Sequence, residues 1–390
     1  MNKKITLIAI NLVIFCAYSY AQPKLLTIDL EKGIETEGSV ALSTIASAIE
    51  YIPIETNARC LLGQSLRIRL EGQNIFIATD MKHLYRFSRD GKFLNEVGKM
   101  GRGPGEFVQL VSYIVNAKEK KIYVNDATFG NKIVAYDYQG KYLDHFPIKT
   151  ASMVLELFAD EHLMLQNMYS DWPEKGKRKN EIEIYNTKGK LVNAILSTVS
   201  STARPGLSFI PSIIYNFNHI SYYKAPSCDT MFQIPGLKGK IPYYYFKMGT
   251  KKRSGDANEL SGYKTKNTVA IMDIHESDNL LFITGSGNKN RQNILFNKKS
   301  SETTNLKVEN STGLEEDIMG GMPFWPYLYS GSEDQKHVVD WIFAHELIKR
   351  TESELFNKKC KTLQGAKNLK KAVENISADD NQIIRIVTLK

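Results

Sequence analysis

Cysteine is scarce in this 390-residue chain. There are four residues, Cys16, Cys60, Cys228 and Cys360, and no C-x-x-C pair. Neither a structural zinc site on paired cysteines nor a disulfide framework is indicated. The seven histidines form no H-x-H or H-x-x-H pair, and no G-x-S-x-G elbow occurs. Long apolar runs are missing after residue 21, and the mean hydropathy is −0.30, which excludes a multispanning membrane protein. No basic stripe with interleaved aromatics occurs, so nucleic acid is not an expected partner. The lysines sit in separate clusters, KEKK 118–121, KGKRK 175–179, KKR 251–253 and KNLKK 367–371, that suit solvated loops and a helix face.

The first 21 residues stand apart. MNKK is followed by the uncharged run ITLIAINLVIFCAYSYA, and Ser19-Tyr20-Ala21 is a small-x-small cleavage site. This is the pattern of a secretory signal peptide, and no transmembrane segment is expected after its removal. A lipoprotein would need Cys16 as first mature residue, and Phe15 before it is too bulky. Removal of Lys3 and Lys4 leaves 49 basic against 42 acidic residues, a net +7. Three cysteines remain, an odd number that leaves at least one thiol unpaired in an exported chain. The expected compartment is the periplasm, cell envelope or exterior.

What the chain has in abundance is strand and turn. It carries 20 tyrosines and 17 phenylalanines, residues that favour strands. Three segments align without gaps: LYRFSRDGKFL (84–94), IVAYDYQGKYL (133–143) and IEIYNTKGKLV (182–192). Their turn glycines, Gly91, Gly140 and Gly189, are 49 residues apart, and a weaker copy places Gly239 fifty further on. Each segment reads as a β-hairpin whose turn needs positive φ. Each is preceded by further short apolar runs. Four antiparallel strands at a period near 50 is the pattern of a propeller blade.

Counting these units predicts an all-β, six-bladed β-propeller over residues 22–390. Strands are lettered A to D from the axis outward. The sixth blade has A near 325–330, B at 337–344 and C at 383–390, with a helical insert at 345–376 between B and C. Its D strand is missing at the C-terminus, and AIEYIPIET (48–56) is the spare strand that completes it. Pairing of the chain's two ends then closes the ring and leaves no large open edge.

The chain resembles the bacterial secreted six-bladed β-propeller proteins with NHL-like repeats. The resemblance is carried by Gly98-Lys-Met-Gly-Arg-Gly-Pro-Gly-Glu-Phe107, by DGKFL and QGKYL, by PFWP (323–326) and by DDNQIIRIVTLK (379–390). It spans the whole mature chain and is strongest in the first three blades. It implies that GRGPGEF (101–107) joins the outer strand of blade one to the inner strand of blade two, with Phe107 packed between blades. Members of that family mostly lack an assigned activity.

Loop lengths are unequal. A–B and C–D turns are short, whereas the D–A and B–C connections include 170–180, 197–211, 249–267, 311–326 and the helical insert. Binding residues concentrate on long loops over a rigid scaffold, so the face bearing these connections is the expected binding surface. Candidate ligand contacts on it are Arg102, Asp171, Trp172, Arg204, Trp325 and Tyr329. Tryptophan suits ring stacking or a protein hot spot, and arginine suits bidentate grip of an anion. The chain is thus read as an exported binding module for a small molecule, a glycan or an envelope protein, without a cofactor. The alternative is a Ca²⁺-dependent lactonase or hydrolase with an axial site, for which Asp80, Asn125, Asp126 and Asp273 stand at strand ends. Expression with the full leader should yield a mature chain beginning at Gln22. Intact mass spectrometry checks this, and a retained leader would overturn it.

Overall fold

The structure, a computed structural model, describes residues 25–127, 130–149, 151–159, 161–167, 180–196, 212–225, 228–237, 239–251, 268–287, 291–307, 312–327, 330–332, 336–354, 356 and 360–390. The expected leader, residues 1–21, lies outside them. Six antiparallel sheets are arranged as the blades of a propeller. In blade one, Leu66–Glu71, Asn74–Thr79, His83–Ser88 and Phe93–Glu96 are strands A to D. The A strands of blades two to five are Leu110–Asn116, Leu155–Phe158, Ile213–Phe217 and Val269–Glu276.

The sheets form because alternation along each strand sends apolar side chains into the wedges between blades. In LRIRLE, Leu66, Ile68 and Leu70 are buried while Arg67, Arg69 and Glu71 are half-buried. Each wedge is one apolar cluster shared by two neighbours. Phe76, Val97 and Phe107 meet Leu110, Val124 and Tyr136 between blades one and two, for example. Each large side chain buried there contributes roughly 1.5–3 kcal/mol.

The hairpin glycines do two jobs. Gly140 has φ of 82°, and a Cβ on it would lie 2.2 Å from the Glu96 carbonyl oxygen of blade one. Gly91 stands in the same way against Pro53 of blade six. The turns at Gly91, Gly140 and Gly189 are therefore pressed onto the outer strand of the blade before, whereas the weaker copy at Gly239 stands in open space.

The ring closes as the sequence predicts. Ala46–Pro53 pairs antiparallel with Ile383–Leu389, which pairs with His337–Ile342. Glu50 lies opposite Ile386 and Tyr51 opposite Arg385. Helices Ala344–Glu352 and Leu363–Val373 occupy the insert between strands B and C, and Leu347, Phe356 and Leu369 anchor it in the cluster between blades five and six.

Two features differ from the sequence expectation. Among the described residues, the inner part of blade six is not a fourth strand of its own sheet. Tyr327 donates one backbone hydrogen bond to Val339 O at 2.9 Å, and Gly331–Ser332 then pairs in parallel with Arg69 and Leu70 of blade one. Residues 26–38 also form a belt around the rim. Leu26–Asp29 adds a parallel fifth strand to blade four, and Glu37–Gly38 adds one to blade five. Between them, Asp29 caps the helix Leu30–Glu35 by accepting from the Lys32 amide at 3.0 Å. Parallel pairing of short segments has no periodic signature, so the belt is invisible in the sequence.

A chain starting at residue 39 loses only the belt. It should stay folded and monomeric, with a melting temperature lowered by about 5 °C or more. A chain starting at residue 54 loses the closing strand and should aggregate or elute in the void volume. Size-exclusion chromatography with thermal melts distinguishes the two, and a monomeric, folded chain from residue 54 would refute closure by this strand.

Candidate functional site

Closing the ring leaves an axial channel of about 290 Å³ bounded by all six blades. Its described lining runs from the middle of the A strands to the ends where the short A–B turns lie, including Ala159 and His219. Because blade six lacks a regular inner strand, Ser330, Gly331 and the start of its strand B, His337 and Val338, form the wall there.

The lumen is charged. Arg67 and Arg69 enter it from blade one, Glu156 from blade three, and Asp273 and His275 from blade five. Arg69 donates to Glu156 from Nη2 at 2.8 Å and from Nη1 at 3.4 Å, linking two blades that are not neighbours. Burial alone would lower the Arg69 pKa, but the Glu156 charge and its hydrogen bonds outweigh this and hold the guanidinium above its ordinary range. His275 Nε2 stands 3.1 Å from Asp273 Oδ2, while the other Asp273 oxygen accepts from the Ile274 amide at 3.0 Å. Tyr113 braces the arginine strand by donating to Arg67 O at 3.0 Å and to Phe76 O at 2.8 Å.

Beside the lumen, Glu276 is fully committed. It accepts from Tyr215 at 2.6 Å, Tyr244 at 2.5 Å and Lys298 at 2.7 Å. Burial, and then the adjacent Glu276 charge, push both phenol pKa values well above the ordinary range. These tyrosines are donors, not bases.

Of the residues expected to bind from sequence, the two that are described, Arg102 and Trp325, do not line this channel. Asp171, Trp172, Arg204 and Tyr329 lie outside the described residues. Arg102 is exposed, but the loop that carries it is not at the axis. Tyr136 donates to Gly105 O at 2.8 Å, Lys132 donates to Glu106 O at 2.9 Å, and Gly105 abuts Tyr142, which places the corner over the outer strands of blade two. Glu106 accepts from the Gly103 amide at 2.7 Å, and Phe107 is buried between blades one and two. Trp325 corrects its expectation: it is 5% exposed, packs edge-on to Phe282 and donates to Thr284 Oγ1 at 2.9 Å. The ring fills the wedge between blades five and six.

The four carboxylate and amide positions weighed for calcium also have local partners. Asp80 accepts from the Ser65 amide at 3.2 Å, and Asp126 accepts from the Val108 and Gln109 amides at 2.9 and 3.1 Å. Asn125 donates to Ser112 Oγ and Ser152 O. Among the described residues, no group of three or more His, Cys, Asp or Glu side chains is placed to hold a metal ion. Of the channel charges, Asp273 was named from the sequence, whereas Arg67, Arg69 and Glu156 were missed because they sit on strands, where alternation reads as a wet face. The one available signal was a charged residue, Arg67, Arg69 or Glu156, on an innermost strand.

Arg69→Met leaves Glu156 without its guanidinium. Because Arg69 keeps partial contact with solvent, the loss should fall at or below the roughly 3–5 kcal/mol typical of a broken buried pair. Removing both charges, Arg69→Met with Glu156→Leu, should restore most of that stability in urea unfolding. Equal losses in the single and double variants would contradict the pairing across the lumen.

A family model described as "Domain of unknown function (DUF4934)" matches residues 25–388. A protein from Bacteroides fragilis that is inferred to be exported has a similar structure, with a TM-score of 0.68 at 17% identity, covering 94% of this chain and 99% of that one. A DUF4221-family protein from Bacteroides vulgatus is similar with a TM-score of 0.51 at 11% identity, covering 88% of this chain and 97% of that one. At these identities the likeness is one of fold. A comparison with curated proteins gives no match. Among the described residues no helix is long and apolar enough to cross a membrane.

Proposed function

Since the chain belongs to the DUF4934 family, whose function is unknown, we propose a role on geometry: it is an exported binding module that holds a small zwitterionic molecule in its axial channel. One observation carries this reading. Positive charge from blade one, Arg67 and Arg69, faces negative charge from blades three and five, Glu156 and Asp273, across one lumen. A ligand with a carboxylate and an ammonium group matches both sides. The volume of about 290 Å³ sits at the small end of ligand sites, roughly 300–1,000 Å³, which suits an amino acid or dipeptide.

The rigid ring supports binding rather than turnover. Its polar groups are mutually paired before any ligand arrives, so a ligand exchanges partners instead of meeting bare charge. The periplasm or cell envelope is the compartment that fits the leader and the exported relative from Bacteroides fragilis. The face bearing the long connections remains available to a partner.

The test is a thermal-shift screen of the mature protein against the proteinogenic amino acids and a dipeptide panel at millimolar concentration. At least one compound should raise the melting temperature by about 2 °C or more. The Arg69→Met, Glu156→Leu double variant should abolish the shift while melting near the unliganded wild type. A shift that survives in the double variant would remove the ligand from the channel, and a screen with no shift would end the reading.

A further inference from the structure

Four aromatic rings run in series along blade six, on the face that carries its B–C connection. Tyr327 lies 5.3 Å from Trp341, Trp341 lies 5.0 Å from Phe343, and Phe343 lies 5.4 Å from His345, centroid to centroid. Tyr327, Trp341 and Phe343 are half-buried and His345 is exposed. The series follows from the strand period: Trp341 and Phe343 fall on one face while Asp340 and Ile342 are buried on the other. That face is turned to blade one, where Trp341 packs at the margin of the cluster holding Ile384 and Leu62.

Two buried polar atoms beside this row have no hydrogen-bond partner, the indole Nε1 of Trp341 and the amide Oε1 of Gln382. Gln382 is 4% exposed, and its amide nitrogen donates to Gly63 O at 2.7 Å. Trp341 is opposite Ile384 and Ile342 is opposite Ile383. Phe343 directly follows the one strand and Gln382 directly precedes the other, at the end where they are paired. One strand thus offers a donor and its neighbour an acceptor, both neutral. Buried polar atoms are almost always satisfied, and a hydroxyl, which both donates and accepts, can answer either one.

We propose that this row is a binding site for a neutral oligosaccharide. The rings meet at 55°, 86° and 23° in turn, so the C–H face of a sugar ring would stack on the near-parallel Phe343–His345 pair, with hydroxyl groups toward the inner end of the row reaching Trp341 Nε1 and Gln382 Oε1. Both recognising atoms are uncharged, which disfavours an anionic or cationic ligand. The site stands apart from the axial channel and does not depend on it.

The experiment is calorimetric titration of the mature protein with the neutral linear hexasaccharides of glucose (α-1,4 and β-1,4), mannose and xylose. At least one should bind. Phe343→Ala should weaken it about tenfold, as expected for loss of one stacking ring. Trp341→Phe keeps an aromatic ring but removes the indole N–H together with part of the ring surface, and His345→Ala changes an exposed ring at the start of a helix. Both variants should keep the wild-type melting temperature and bind at least threefold more weakly. The Arg69→Met, Glu156→Leu variant should bind as the wild type does. Three results would overturn the proposal: no hexasaccharide binds at millimolar concentration, binding is unchanged in both Trp341→Phe and His345→Ala, or binding is lost in the channel variant.

Discussion

The ring is closed by a strand from the other end of the chain, since Ala46–Pro53 completes the sheet that carries Ile383–Leu389. Here a buried ion pair stands at that joint. Arg385, on the last strand, donates to both oxygens of Asp340 at 2.7 and 2.5 Å and to the carbonyls of Met322 and Pro323 at 2.6 and 2.9 Å. Burial works against its charge, but Asp340 and then Tyr51 hold the guanidinium protonated. Tyr51, on the strand from the other end of the chain, lies opposite Arg385 and donates to Glu316 at 2.9 Å. Asp340, Arg385 and Tyr51 thus stand abreast on three adjacent strands. A slip of one residue would turn each to the wrong face, so the ladder sets the register in which the ring closes. A buried pair contributes little net stability over an apolar substitute, but an unpartnered half is costly.

Closure turns six sheet edges into a lumen. While the ring is open, an arginine on an inner strand is a solvated side chain. Once it is closed, Arg69 faces Glu156 from two blades away, and each is held by the other. The irregular inner segment of blade six belongs to the same event. Gly331–Ser332 leans on blade one rather than on its own sheet, so the seam between first and last blades is stitched at the axis as well as at the rim. The seam is also where the half-buried aromatic row and its two unpaired polar atoms lie.

The hairpins were legible because their causes are local. Gly91, Gly140 and Gly189 are needed by the turn itself, and a 49-residue spacing survives any drift in the strands around it. Closure by residues near 50 was legible by counting, since one blade lacked a strand and one strand lacked a blade. The belt ahead of residue 46 was not, because a two-residue parallel pairing such as Glu37–Gly38 with Asn305 and Leu306 leaves no pattern. The GRGPGEF corner was read correctly as a crossing that seats Phe107, while the place of Arg102 over blade two had no signal in the sequence. Tyr136, Lys132 and Tyr142, thirty to forty residues away, hold it over the outer strands. Trp325 reads as a loop tryptophan and is a wedge, since only Phe282 and Thr284 of another blade reveal its burial.

Sequence by itself therefore determined the unit, its number and the way the ends meet, because turn chemistry and strand alternation act between near neighbours and repeat. Which side chains share the lumen was decided only by the tertiary structure. Arg69 and Glu156 are 87 positions apart, and their distance is set by the curvature of the whole ring. Nothing in either strand taken alone records that curvature.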